Sequence, residues 1–282
     1  ADIQGFYDSL DHAHLRSFLD QRVCDGVLRR TIDKWLKAGV LEEGRVTRSD
    51  IGTPQGGVIS PLLANVYLHH VLDQWFRTEV EPRLLGRGFL VRYADDFVIV
   101  FSAEADARRV LDMLSKRFEA YGLRLHPTKT RLVYFKPPPA GAQGGPGTRP
   151  PSGTFDLLGF THYWARSRKG VWVVKRRTAK GRFTRALDRV AAWCRSHLHL
   201  PLADQQKHLA AMLRGHCGYY GITGNSQRLT SFRRMMLRIW RRWLARRSQR
   251  AGMNWVQFNR LLLRYPLPPA LAVHSLCSST AK

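Results

Sequence analysis

The 282 residues predict an α+β protein in two parts, a mixed-sheet domain followed by a basic helical domain. Three observations carry this. Strand-like and helix-like runs alternate early, whereas helical periodicity dominates from about residue 178. The charge divides at nearly the same place: residues 1–164 hold 21 Lys and Arg against 19 Asp and Glu, and residues 165–282 hold 25 against 2. Between the two parts, 136–154 carries six prolines and five glycines, cannot pack as an element, and reads as an insertion or linker.

The elements follow in order. Residues 1–8 begin with Asp2 in an apolar run. A helix is expected from Leu10 to Val23, with Asp8, Ser9 or Asp11 available as its cap, and a second after Asp25, through Leu28, Ile32 and Leu36 to Gly39. A loop then leads to Gly52-Thr53-Pro54-Gln55-Gly56-Gly57, which opens a long helix through Leu62, Val66, Tyr67, Val71, Leu72 and Trp75. Phe89-Leu90-Val91 and 97–101 read as strands joined by a tip at Tyr93-Ala94-Asp95-Asp96. A helix over 104–121 should stop at Gly122. Short strands are expected at 123–125 and 132–135, around His126-Pro127-Thr128-Lys129. Residues 155–164 and 171–174 read as a hairpin, and the later helices should break around Pro201, 215–224 and Gly252.

Composition narrows the function. The net +23 of the second part is the footprint of a polyanion partner. A basic membrane-surface helix competes with that reading, but the charge extends over more than a hundred residues. No apolar run approaches the ~20 residues of a membrane span, and no secretory leader is legible. Cys24, Cys194, Cys217 and Cys277 form no C-x-x-C pair, so a cytoplasmic protein without a disulfide framework is expected. Cys194 with His197, and His216 with Cys217, pair irregularly among Trp193, Tyr219 and Tyr220, which predicts packed side chains rather than zinc ligands.

Candidate chemistry centres on the acids. Neighbouring carboxylates at a hairpin tip suit hard divalent cations, although Asp is also a favoured turn residue. Asp2, far upstream, supplies a third acid.

Taken in order, these motifs resemble the reverse transcriptases encoded by group II introns, the maturases, over essentially the whole length. Residues 1–8 are similar to the family's first catalytic motif, and 52–67 to its most specific signature. Tyr93-Ala94-Asp95-Asp96 fits the polymerase box, 122–129 the next palm motif, and Leu157-Leu158-Gly159-Phe160 the motif near the palm's end. The resemblance implies a right-hand polymerase palm over 1–135, with a mixed or antiparallel sheet and packed helices. The linker 136–154 and an end-of-palm hairpin at 155–176 would follow, then an all-α basic thumb and maturase domain over 177–282.

The implied activity is RNA-directed DNA synthesis on an RNA template and DNA primer from dNTPs, with an intron RNA-binding role in splicing and retrohoming. Asp2 and Asp95 would bridge two Mg²⁺ ions, with Mn²⁺ able to substitute, and Asp96 would complete the cluster. Tyr7 falls where the family places an aromatic under the incoming sugar; a core aromatic is compatible with the same role. Pro54, Gln55 and Gly56 would lie near the nucleotide, where glycine lets backbone approach closely. Lys129 matches the place of a general acid for pyrophosphate, and reads equally well as a surface lysine. Arg238, Arg241, Arg242, Arg246 and Arg247 would contact RNA phosphates, while Met236, Ile239, Trp240, Trp243 and Leu244 form a core stripe.

Family members carry a fingers region ahead of the first motif, whereas this sequence opens one residue before Asp2. It therefore reads as a fragment with little polymerase activity alone. No Cys/His nuclease module follows Tyr265-Pro266-Leu267-Pro268-Pro269. A retron- or CRISPR-associated reverse transcriptase, or a non-catalytic RNA-binding splicing factor with a vestigial palm, shares many of these residues. If about eight phosphates are engaged, log affinity for nucleic acid should fall with log salt at a slope near about −7, as measured by titration over a range of salt.

Overall fold

The computed structural model describes residues 1–37, 40–42, 45–47, 52–53, 57–138, 153–167, 169–247 and 252–274. The chain is mixed α+β and divides into two compact units, Ala1–Leu132 and Val133–Lys282.

In the first unit, a 3-10 turn at Phe6–Asp8 precedes α1 (His12–Asp20). Asp11 is the cap, accepting from the Ala13 and His14 amides at 2.7 and 3.0 Å. The bond from His14 is the main cause that holds the Asp11 carboxyl below its ordinary range. Helix α2 (Gly26–Lys37) follows. The loop expected next instead contains a small antiparallel ladder, β1 (Val40–Glu42) with β2 (Arg45–Thr47).

Pro61, whose missing amide costs nothing in a first turn, opens α3 (Ser60–Leu68). Two π-helical stretches, His69–Gln74 and Phe76–Val80, carry the helix past Trp75 until a 3-10 turn containing Pro82 stops it. The hairpin pairs β3 (Gly88–Tyr93) with β4 (Asp96–Phe101), from Gly88 opposite Phe101 to Tyr93 opposite Asp96. Helix α4 (Glu104–Ala120) ends where expected, with Gly122 at φ 71°. Leu10, Leu15, Tyr67, Leu72, Phe97 and Phe118 lie at the centre of this core.

The strand expected at 123–125 is a single antiparallel bridge, Ile3 to Leu125, and 132–135 is irregular. Pro127 limits the first and Pro137 and Pro138 follow the second; proline cannot donate to a ladder.

In the second unit, the expected hairpin has a third strand. Leu158 and Gly159, at φ 50° and 77°, reverse the chain between β5 (Phe155–Leu157) and β6 (Phe160–Arg166), and β7 (Trp172–Thr178) pairs along β6. This sheet belongs to the same compact unit as α5 (Lys180–Ser196), α6 (Leu202–Tyr220), α7 (Ser226–Leu244) and α8 (Trp255–Arg264). Gly215 and Gly218 sit inside α6, so the break falls at Gly221. Buried Leu213, His216 and Cys217 continue the packed face through that stretch, and burial outweighs the roughly 1 kcal/mol cost of a helical glycine.

Met236, Trp240 and Leu244 are core, as the stripe implies. Trp240 Nε1 donates to Gln205 Oε1 at 2.9 Å. Burial pushes the Cys194 thiol up to about 12. His216 stacks on Phe232 with ring centres 3.7 Å apart, and burial lowers its pKa to about 4. Both are packed groups. No helix among the described residues is long and apolar enough to cross a membrane.

Asn225, 1% exposed, joins sheet to helices: it accepts from the Thr178 amide and donates to Thr178 Oγ1 and the Tyr220 carbonyl. Asn225→Ala removes the partner of the buried Thr178 amide and hydroxyl, whereas the Tyr220 carbonyl keeps the Ile222 amide, and should destabilise this unit by about 2 kcal/mol in denaturant titration.

Candidate active site and nucleic-acid interface

Asp2 reaches the hairpin through backbone pairing. The Ala1 nitrogen donates to the Phe97 carbonyl at 2.9 Å. On the other edge, the His126 amide donates to the Asp2 carbonyl and the Gln4 amide to the Arg124 carbonyl, both at 2.8 Å. The segment carrying Asp2 therefore runs beside the start of β4, which Asp96 opens. Ala94, at φ 53°, and Asp95 form the turn that completes the tip.

Among the described residues, no three His, Cys, Asp or Glu side chains converge as a preformed metal cage. Instead, Lys129 Nζ lies 2.7 Å from Asp2 Oδ2. Carboxylates gathered without a cation repel, and the lysine offsets one of them. Its side chain is 62% exposed, so an incoming cation can displace it. Mg²⁺ binds through one or two carboxylates together with waters and substrate phosphates. The all-oxygen donor set of Asp2, Asp95 and Asp96 fits such an ion without a closed cage.

One residue that sequence reasoning missed braces the tip. Arg92 Nε and Nη2 donate to the two Asp73 carboxylate oxygens at 2.7 and 2.5 Å, a bidentate pair. Its Nη1 donates to the Asn65 side chain and to the Ala94 carbonyl, each at 2.9 Å. Arg92, whose side chain is only 13% exposed, thus links the carboxylate turn to α3 and to the π-helical stretch that carries Asp73.

Tyr7 is half-buried against the first core. Its carbonyl accepts from the Thr53 amide at 2.7 Å, and the Leu10 carbonyl accepts from the Gly52 amide at 2.7 Å. Buried His12 donates from Nε2 to the Gly52 carbonyl. Gly52 has φ 90°, and a Cβ there would lie 2.8 Å from the Asp8 carbonyl oxygen. Only glycine fits that approach. The expected nucleotide-site residues Pro54, Gln55 and Gly56 lie outside the described residues.

In the second unit, Arg238, Arg242 and Arg246 are exposed near the end of α7, and Arg241 is half-buried beside them. Arg247, also exposed, donates from Nη2 to the His199 and Leu200 carbonyls.

Comparison with known families matches residues 1–162 to "Reverse transcriptase (RNA-dependent DNA polymerase)" and residues 183–261 to "Group II intron, maturase-specific domain". The chain belongs to the group II intron reverse transcriptases. It is similar to the group II intron-encoded protein LtrA of Lactococcus lactis subsp. cremoris, 44% identical over 70 residues, 25% of this chain and 12% of that protein. It also resembles protein YkfC of Escherichia coli K12, 30% identical over 162 residues, 47% of this chain and 42% of that one. The telomerase reverse transcriptase of Oryzias latipes is 31% identical over 111 residues, 39% of this chain and 9% of that protein. The chain thus spans under half of each of these relatives. Reverse transcriptases generally use divalent metal ions.

Within this reverse transcriptase, the supporting residues Arg92, Asp73, Asn65 and His12 had little sequence signal. A lone arginine before the polymerase box is indistinguishable from a solvated strand residue. The π-helical stretch is a second cue, since such irregularity clusters at functional sites, but it appears only in three dimensions. Arg92→Ala should lower stability by about 2 kcal/mol. It should also speed hydrogen exchange at the amides of 94–97, read by mass spectrometry, more than at α4.

Proposed function

We propose that this chain provides the catalytic palm and the RNA-holding thumb of an RNA-directed DNA polymerase that also serves as a group II intron maturase. The observation that carries the reading is the pairing of the Asp2 segment beside β4, which brings the remote Asp2 to backbone neighbouring the Asp95-Asp96 tip. The maturase-domain match over 183–261 favours the group II role over a retron- or CRISPR-associated one.

In this reading Asp2 and Asp95 would hold two Mg²⁺ ions and Asp96 would complete the set. When bound, the ions stabilise the attacking 3′ oxygen and the pyrophosphate leaving group. The protein's own residues do the positioning. Arg92 keeps the Asp95 turn in its left-handed conformation. Lys129 neutralises Asp2 through their contact, and would be a proton donor for pyrophosphate if displaced from it. Tyr7 is fixed at its carbonyl by the segment leading into Gln55, so a rigid ring borders the sugar and selects against a 2′-hydroxyl. Primer, template and intron RNA lie along the arginine-rich second unit, where phosphates supply the missing negative charge.

Primer extension on an RNA template tests this, using the chain alone and joined to a reverse-transcriptase fingers segment ahead of Ala1. Asp95→Asn and Asp2→Asn should each reduce dNTP incorporation by roughly 10³-fold or more, with RNA affinity unchanged. Incorporation insensitive to both substitutions, or absent from both proteins, overturns the proposal.

A further inference from the structure

A cleft of about 500 Å³ at the end of α7 is lined by Arg238, Arg241, Arg242, Ala245, Arg246 and Trp255. Arg238 and Arg242 lie four residues apart on the exposed face of α7, and exposed Arg246 follows in the turn just past its end. Side chains at that spacing are neighbours on a helix, and like charges there repel. Among the described residues no carboxylate belongs to the lining, and 165–282 contains only Asp188 and Asp204 against 25 basic residues. A ridge of this kind specifies an anionic ligand.

Charge does not explain Trp255. It opens α8, whose Phe258 is fully buried, yet Trp255 itself is 45% exposed among the arginines. Holding phosphate needs no indole. The ring is also immobilised. Arg241 lies over it at 4.4 Å, and the guanidinium is fixed by donation from Nη1 to the Met253 carbonyl at 2.7 Å. Phe258 packs against it edge-to-face, with centres 5.9 Å apart. Asn254 and Gln257 cap α8 reciprocally and fix the backbone on either side of the indole. A rigid aromatic and guanidinium shelf beside exposed cations is the composition that stacks a nucleobase while its phosphates are held.

We propose that this cleft is a subsite for an unpaired RNA nucleotide. The base stacks on the Trp255–Arg241 shelf, and the flanking phosphates meet Arg238, Arg242 and Arg246. The inference rests on the reading of the basic unit as an RNA-holding surface and sharpens it. The arginines grip RNA of any structure, whereas Trp255 selects strand that is not in a duplex, because a stacked, paired base offers no free ring face.

The test measures fluorescence anisotropy of the whole chain with an unstructured oligouridine and with a blunt RNA duplex of equal length. Trp255→Ala should weaken binding to the single strand by roughly 5- to 100-fold at every salt concentration. The log–log salt slope and duplex affinity should stay unchanged. Trp255→Phe should restore most of the loss. Should Trp255→Ala unfold, Trp255→Leu keeps the apolar packing, loses the extended ring, and should give the same strand-selective defect. Arg242→Gln should weaken both RNAs and reduce the single-strand slope by about 0.7. Equal losses on strand and duplex from the Trp255 variants, or none on either, overturn the stacking subsite. If Arg242→Gln leaves both RNAs unaffected while Trp255→Ala still acts on the strand, the subsite stands and the phosphate grip assigned to the arginine ridge fails.

Discussion

The segment from Ala1 to Gln4 is hydrogen-bonded on both edges, to Phe97 on one side and to Arg124 and His126 on the other. Pieces of chain that are remote in sequence meet there, and every later feature of the carboxylate site inherits their register. Buried Ile3, Phe6 and Leu10 anchor the segment in the core. In extended backbone a slip of one residue moves each side chain to the opposite face. Such a slip would carry Asp2 away from β4 and from Lys129, which follows the same His126 connection. The loop-closure cost of joining distant segments rises only slowly with length, so a few apolar anchors suffice to hold the arrangement.

Charge is handled differently in the two units. In the first, acids find cations within the fold: Asp73 with Arg92, Asp2 with Lys129, Asp33 with Arg16. Asp106, 1% exposed, accepts from the Leu85 and Gly86 amides and from Arg109, securing the base of the hairpin. In the second, basic residues outnumber acids so strongly that the protein cannot balance itself. In the proposed reading, the complement arrives with nucleic acid, and with cations at the acidic tip. Charge is left incomplete where ligands are expected.

Much of the hairpin was legible because its signals are local. Apolar runs of strand length flanked Tyr93-Ala94-Asp95-Asp96, and the observed ladder closes at Tyr93 and Asp96. Gly122 ends α4, and the stripe through Met236, Trp240 and Leu244 is core. The misjudged elements were those whose outcome depends on neighbours. Leu123–Leu125 resembles a strand but has only the short Asp2 segment to pair with. Gly215 and Gly218 resemble a helix break, yet the buried face of α6 runs through them.

By itself the sequence determined the periodicities, the turn chemistry at the carboxylate tip, the division of charge, and the ordered motifs that mark a group II intron reverse transcriptase. These properties are written in residues a few positions apart, where backbone preference and side-chain spacing act directly. Only the tertiary structure decided that Lys129 sits on Asp2, that Arg92 braces Ala94 from Asp73, that Gly52 is pressed against Tyr7 and Asp8, and that Trp255 shares a cleft with α7 arginines. Each joins elements distant in the chain, and is fixed by core packing and hydrogen-bond satisfaction across the whole unit rather than by local preference.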